Sequence, residues 1–94
     1  YQSMPVNLPQ LAATDGIVVA WAKGSSSNDY KYTYVRGGIQ PYGSVDWTDI
    51  VVESDMYDAE ISITFPVKAG DYWFVLSYSQ GTHEVHVWWM PIGN

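Results

Sequence analysis

The chain has 94 residues, a net charge of −6 from four Lys plus Arg against ten Asp plus Glu, no Cys, and 16% aromatic residues. With no basic stripe to neutralise phosphates, nucleic-acid binding and electrostatic docking on anionic lipid are excluded. The length fits one domain, no apolar run approaches the roughly 20 residues that span a bilayer, and no disulfide can replace a missing core.

Position 1 is Tyr and Tyr1–Met4 carries no processing motif, so the chain is expected to be a piece of a longer polypeptide. Met4-Pro-Val-Asn-Leu-Pro9 reads as extended entry, confined by its two prolines to an edge or a linker. Residues 1–13 are accordingly taken as an entry segment and 14–94 as the folded domain. Thr14-Asp-Gly16 is a turn, and the wholly apolar Ile17–Ala22 predicts a central strand. Gly24–Asp29 reads as a polar loop. In the next strand Tyr30, Tyr32 and Tyr34 share one face, opposite Lys31, Thr33 and Val35. Arg36-Gly-Gly38 and Pro41-Tyr-Gly43 read as turns, Trp47–Glu53 as a strand, and Asp55–Asp58 as a connection.

Three further strands follow. Ala59, Ile61, Ile63, Phe65 and Val67 alternate with Glu60, Ser62 and Thr64, the pattern of a half-buried strand. Tyr72–Tyr78 and Val85–Met90 do not alternate: Tyr72, Phe74, Leu76 and Tyr78 oppose Trp73 and Val75, and Val85, Val87 and Trp89 oppose Trp88 and Met90. Read as a hairpin reversed at Lys68–Asp71 and again at Ser79–Thr82, this meander has two apolar faces, unlike a sheet with one solvated side. So short a chain hardly covers both, so copies are expected to share their aromatic surfaces, with Tyr72, Trp73, Trp88 and Trp89 as interface or core. Trp89 is the first candidate for a shared interface and Trp88 the alternative, while Trp21, Trp73 and Trp89 have the aliphatic neighbours of core or interface rings. About seven short strands without helical periodicity predict an all-β antiparallel β-sandwich or jelly roll.

Chemistry is sparse. His83 and His86, three apart, fall on opposite faces of a strand and cannot share a metal within one chain. The acidic run Asp46, Asp49, Glu53, Asp55, Asp58, Glu60 lacks the spacing of a calcium loop and singles out no carboxylate pair for glycoside hydrolysis. No serine has a recognisable His and Asp spacing. No metal, cofactor or enzymatic activity is therefore expected. The aromatic residues carry more: Tyr30, Tyr42, Trp47 and Tyr57 lie beside polar turns, with Ser25, Ser26, Asn28 and Asp29 able to bond hydroxyls. Flat rings with a polar handle suit stacking on sugars, and loops at a sandwich end are where ligand contacts gather. Asp46 and Asp49 beside Trp47 make its deep burial costly.

Thr64-Phe-Pro-Val-Lys-Ala-Gly-Asp-Tyr-Trp73 leading into Val85-His-Val-Trp-Trp-Met-Pro-Ile-Gly-Asn94 resembles the C-terminal end of bacteriophage tail fibre proteins, which close on a "P-V-K-x-G-D" turn and an aromatic strand ending in Pro-Ile/Leu-Gly. Asp15-Gly-Ile-Val-Val-Ala-Trp-Ala22 and the Gly/Ser loop after it are similar to the opening of such domains, so the likeness covers roughly residues 14–94. It implies a homotrimeric fibre-tip domain, reached from the fibre shaft through residues 1–13, assembled in the host cytoplasm and carried on the virion. Its partner would be a bacterial surface glycan, capsule or lipopolysaccharide, bound without catalysis. A structural trimerisation or capping module and a monomeric carbohydrate-binding module are the alternatives.

Overall fold

The computed structural model describes residues 2–25, 32–56, 60–79 and 82–93. Eight strands form two four-stranded antiparallel sheets, and no helix occurs among the described residues: β1 (Gln2–Met4), β2 (Gln10–Leu11), β3 (Gly16–Ser25), β4 (Tyr32–Gln40), β5 (Thr48–Met56), β6 (Glu60–Val67), β7 (Tyr72–Ser79) and β8 (Thr82–Pro91). One sheet runs β1-β8-β3-β6 and the other β2-β7-β4-β5. The first strand therefore pairs with the eighth, the second with the seventh, the third with the sixth and the fourth with the fifth. This is a jelly roll, a long folded hairpin wrapped into two sheets. The strand beginning at Ile17 is internal, flanked by β8 and β6.

The core lies between the sheets. β6 presents Ile63, Phe65 and Val67 inward and exposes Glu60, Ser62 and Thr64, as its alternation predicts. Trp73, Val75 and Ser77 of β7 face Val87 and Trp89 of β8, and the rings of Trp73 and Trp89 stack across the sandwich at 5.7 Å and 15°. Small residues make room for these rings. Ala20 and Ala22 of β3 are fully buried, Gly16 lies against the Trp89 indole, and Gly37 lies against the Phe65 ring.

Four expectations are corrected here. The terminal strands are not a meander: β6 and β8 belong to one sheet and β7 to the other, so each turn is a corner between sheets. The outward faces of β7 and β8 are thus opposite surfaces of one sandwich, and their inward faces meet in a single core. Trp89, the first candidate for a shared interface, is a core residue at 8% exposure, beside Trp73, which at 1% takes the core half of its core-or-interface expectation; Trp88 and Tyr72 point outward from different sheets. Trp21 is not in the core but half-buried on the outer face, where its Nε1–H donates to Glu60 Oε1 at 3.1 Å. Arg36-Gly-Gly38 is no turn but the interior of β4, beside a bulge that leaves Ile50 of β5 unpaired. A methyl group at Gly37 would overlap the Phe65 ring and one at Gly38 the Phe74 ring, so the glycines serve close approach rather than reversal.

The structure has eight strands where about seven are expected, and the entry segment supplies two short ones. They put the entry segment on one lateral side of the sandwich: β1 pairs with β8 in one sheet and β2 with β7 in the other. Between them Asn7, at φ 63°, donates its N–H to Val75 O at 2.7 Å and accepts the Ser77 N–H at Oδ1, 3.1 Å. Asn is among the few residues that take this backbone region at low cost.

Replacing Trp73 by Ala removes half of the inter-sheet stack and should cost about 3–5 kcal/mol in denaturant unfolding. Gly70, at φ 93° in the corner between β6 and β7, should tolerate no branched side chain. Gly70→Val is expected to lose about 1–3 kcal/mol by backbone strain alone, since only Tyr42 carbons near 3.8 Å approach the site. Stability equal to the parent would show that the corner relaxes without a left-handed residue.

Candidate ligand-binding end

Strand direction sorts the connections into two ends. Gly16 pairs with Val67 and Pro91, and Gln40 with Tyr72, so residues 12–15, 41–47, 68–71 and 92–93 gather at one end. Backbone bonds tie them together: Gly70 N to Ala12 O at 2.8 Å, Ala12 N to Asp71 O at 2.9 Å, and Ile92 N to Asp15 O at 2.9 Å. Two carboxylates finish the web. Asp15 Oδ1 accepts the Ala69 N–H and Asp71 Oδ1 the Tyr42 N–H, each at 2.8 Å. Each spends one oxygen on a backbone and keeps the other for a further donor. Ser44 N donates to Pro41 O at 2.9 Å, closing the turn in which Gly43 takes φ 81°.

Among these connections lies an open cleft of about 730 Å³ with an apolar floor that includes Ile39, Ile50 and Val67. Asp15, Lys68 and Asp71 supply its charged groups, and the Tyr42 ring, 86% exposed, lines it too. So large an exposed ring, anchored at its own backbone, can cover the face of a ligand with only its side-chain torsions left to be fixed. Apolar floor, aromatic wall and a few hydrogen-bonding groups form the mixed surface that small polar-apolar ligands require.

Trp47 belongs to a different surface. It stands edge-on to Phe74 (4.9 Å, 75°) on the outer face of the β2-β7-β4-β5 sheet, is 42% exposed, and lines a groove of about 300 Å³ with Asn7, Pro9 and Leu76. On the opposite outer face Trp21, His86 and Trp88 form a ladder, His86 lying 5.6 Å from one indole and 5.7 Å from the other with near-parallel planes. These ring faces cover one another, so they offer a ligand little area for stacking.

Of the expected ligand residues, Tyr42, Trp47 and the backbone of Ser25 fall within the described residues; Ser26, Asn28, Asp29, Tyr30 and Tyr57 lie outside them. The residues flanking those two stretches, Ser25 with Tyr32 and Met56 with Glu60, are at the end of the sandwich remote from Tyr42. Among the acids, Asp49 forms an ion pair with Arg36 and Glu60 accepts from Trp21. Among the described residues no group of three or more His, Cys, Asp or Glu could hold a metal. The two histidines sit on opposite faces, as their spacing predicts: His86 in the outer ladder, and His83 with Nε2 2.7 Å from the Ser77 Oγ.

The Ser77–His83 contact escaped the sequence reading. Ser77 is buried, and its Oγ lies 3.0 Å from the Tyr34 carbonyl and 2.7 Å from His83 Nε2, so the tautomer of His83 sets which of the two contacts takes the hydroxyl hydrogen. The pair caps the polar end of the core beside the Thr33 Oγ1 to Ser79 Oγ bond of 2.8 Å. Asp15, Lys68 and Asp71 were likewise missed as site residues: each was legible as part of a turn, but nothing in the sequence placed those turns beside Tyr42. Comparison with known proteins finds no matching family model, curated protein or solved structure.

Removing the acceptor of the Tyr42 amide tests the anchoring. Asp71→Ala should cost about 1 kcal/mol of stability and speed hydrogen exchange at Tyr42 far more than in the β3 interior. Unchanged exchange at Tyr42 would mean that the turn holds itself.

Proposed function

We propose that this domain is a non-enzymatic receptor-binding module, the distal domain of a bacteriophage tail fibre, which holds a bacterial surface glycan in the cleft at Tyr42. The observation that carries the reading is the anchored, 86% exposed Tyr42 ring beside an apolar floor and the groups of Asp15, Lys68 and Asp71. Pyranose rings present an apolar C–H face and a hydroxyl edge, and this surface offers a partner for each: the phenol for the face, carboxylate oxygens and the Lys68 ammonium for the edge. The assignment to a tail fibre rests on the Thr64–Trp73 and Val85–Asn94 strings. In the homotrimeric form that the resemblance implies, three modest sites on one tip multiply into firm attachment, so no single site has to be tight.

The test is binding of the isolated domain to a panel of bacterial strains and to their purified capsular and lipopolysaccharide glycans. Tyr42→Ala should leave circular dichroism unchanged and weaken binding by about 1–3 kcal/mol, the range seen when an aromatic is removed from a base-stacking platform. A folded Tyr42→Ala protein that binds every strain as the parent does would move recognition away from the cleft. A structural trimerisation module is the second reading, favoured by the apolar outer face around Trp47 and Phe74.

A further inference from the structure

The two outer faces of the sandwich differ. Among the described residues, no strand of the β1-β8-β3-β6 sheet carries an exposed large hydrophobic side chain, whereas the other sheet exposes Leu11, Ile50, Val52, Tyr72 and Tyr78. The first sheet seals itself with the Trp21–His86–Trp88 ladder. The second leaves its rings open.

Register shows how this second face is built. Rows across it read Leu11–Tyr72–Gln40, then Phe74–Gly38–Asp49, then Leu76–Arg36–Val52, then Tyr78–Tyr34–Ser54. Trp47 lies against Phe74, and Tyr34 and Tyr78 tilt together at 5.8 Å. At the centre the Arg36 guanidinium is paired with the Asp49 carboxylate, while Arg36 Nε is buried without a partner.

We infer that this face, centred on Phe74, Leu76 and the Arg36–Asp49 pair, is where copies of this chain meet. Charge sets where two copies can meet. Each chain carries −6, so two copies repel unless they touch where charge is neutral. The charged groups of this face neutralise each other, whereas the opposite face carries Lys23, Glu60 and Glu84 in one cross-strand row. Area agrees. Leu11, Trp47, Val52, Tyr72 and Tyr78 are 42–58% exposed. Their open halves come to on the order of 400 Å², the size of the largest apolar patch on a typical monomer and about half of the roughly 800 Å² per partner that a standard interface buries. Tyr, Trp and Arg are also the residues that carry most interface energy. Edge pairing is the less favourable route, because β5 is bulged at Ile50 and carries Asp49 and Glu53, and β6 carries Pro66.

This inference rests on the oligomeric part of the proposed function and is separable from its glycan part. Sedimentation of the parent, Val52→Glu, Tyr72→Glu and Tyr42→Ala proteins decides it, with circular dichroism confirming the fold of each. The parent and Tyr42→Ala should sediment at a multiple of the chain mass. Val52→Glu and Tyr72→Glu, which place a carboxylate at half-exposed positions on opposite borders of the face, should sediment at the chain mass. If one of them fails to fold, the other still gives the answer. A folded variant that stays assembled overturns the face while leaving the oligomer standing. A parent that remains at the chain mass at every attainable concentration overturns both, and strain binding by that monomer would leave the glycan reading intact.

Discussion

Everything in this molecule follows from one constraint: two four-stranded sheets must share a single core without a disulfide to hold them. The stack of Trp73 on Trp89 meets it by placing one large ring from each sheet at the same level. Rings of that size need depth beneath them. The chain supplies it with Ala20 and Ala22 on β3 and with Gly16 and Gly37 where a side chain would collide. Small residues set beside the large rings, within a sheet as at Gly16 and Trp89 or across the sandwich as at Gly37 and Phe65, allow the close packing of a protein interior. The remaining aromatics are then free for the outer faces and the ends.

Topology carries that economy to the ends of the sandwich. Every connection but one crosses between sheets; β4 to β5 alone stays within a sheet. A crossing connection must hold its corner, and the Gly70 corner does so with a left-handed residue and the bond to Ala12 O. The β4–β5 connection carries no such duty. It can project Tyr42 into the cleft and lay Trp47 over Phe74 while the bonds from Asp71 and within the Pro41–Ser44 turn keep it in place. A segment freed from holding the fold is where a ligand contact costs least stability.

Local signals were legible in the sequence, and signals that depend on which strands become neighbours were not. The alternation of β6, the left-handed Gly70 and the exposed Tyr42 are properties of a few consecutive residues, and each was readable. The doubled apolar pattern of β7 and β8 was also real, but a hairpin was the wrong frame for it. When consecutive strands alternate between sheets, each places one face in the shared core and the other on an opposite surface. Period alone cannot distinguish the two arrangements. Gly37-Gly38 misled in the opposite direction, because paired glycines signal reversal in most chains and here answer to Phe65 and Phe74, distant in sequence. Asp15 and Asp71 became site residues only when the turns at 12–15, 41–47 and 68–71 met at one end.

The two outer faces show how one sequence can treat similar residues in opposite ways. Trp21 and Trp88 are as aromatic as Trp47 and Tyr72, yet the first pair is covered by its neighbours and the second is not. The difference lies in register. On the first face His86 falls directly opposite Trp21 and two residues before Trp88, so three flat rings come within stacking distance and leave mainly edges to solvent. On the second face Tyr72 falls between Leu11 and Gln40 and Phe74 beside Gly38, none of which can stack on a ring, while Tyr34 and Tyr78 meet only at a tilt. Register thus leaves one apolar face of the sandwich unsealed by its own sheet, apart from the cleft that the connections form at Tyr42.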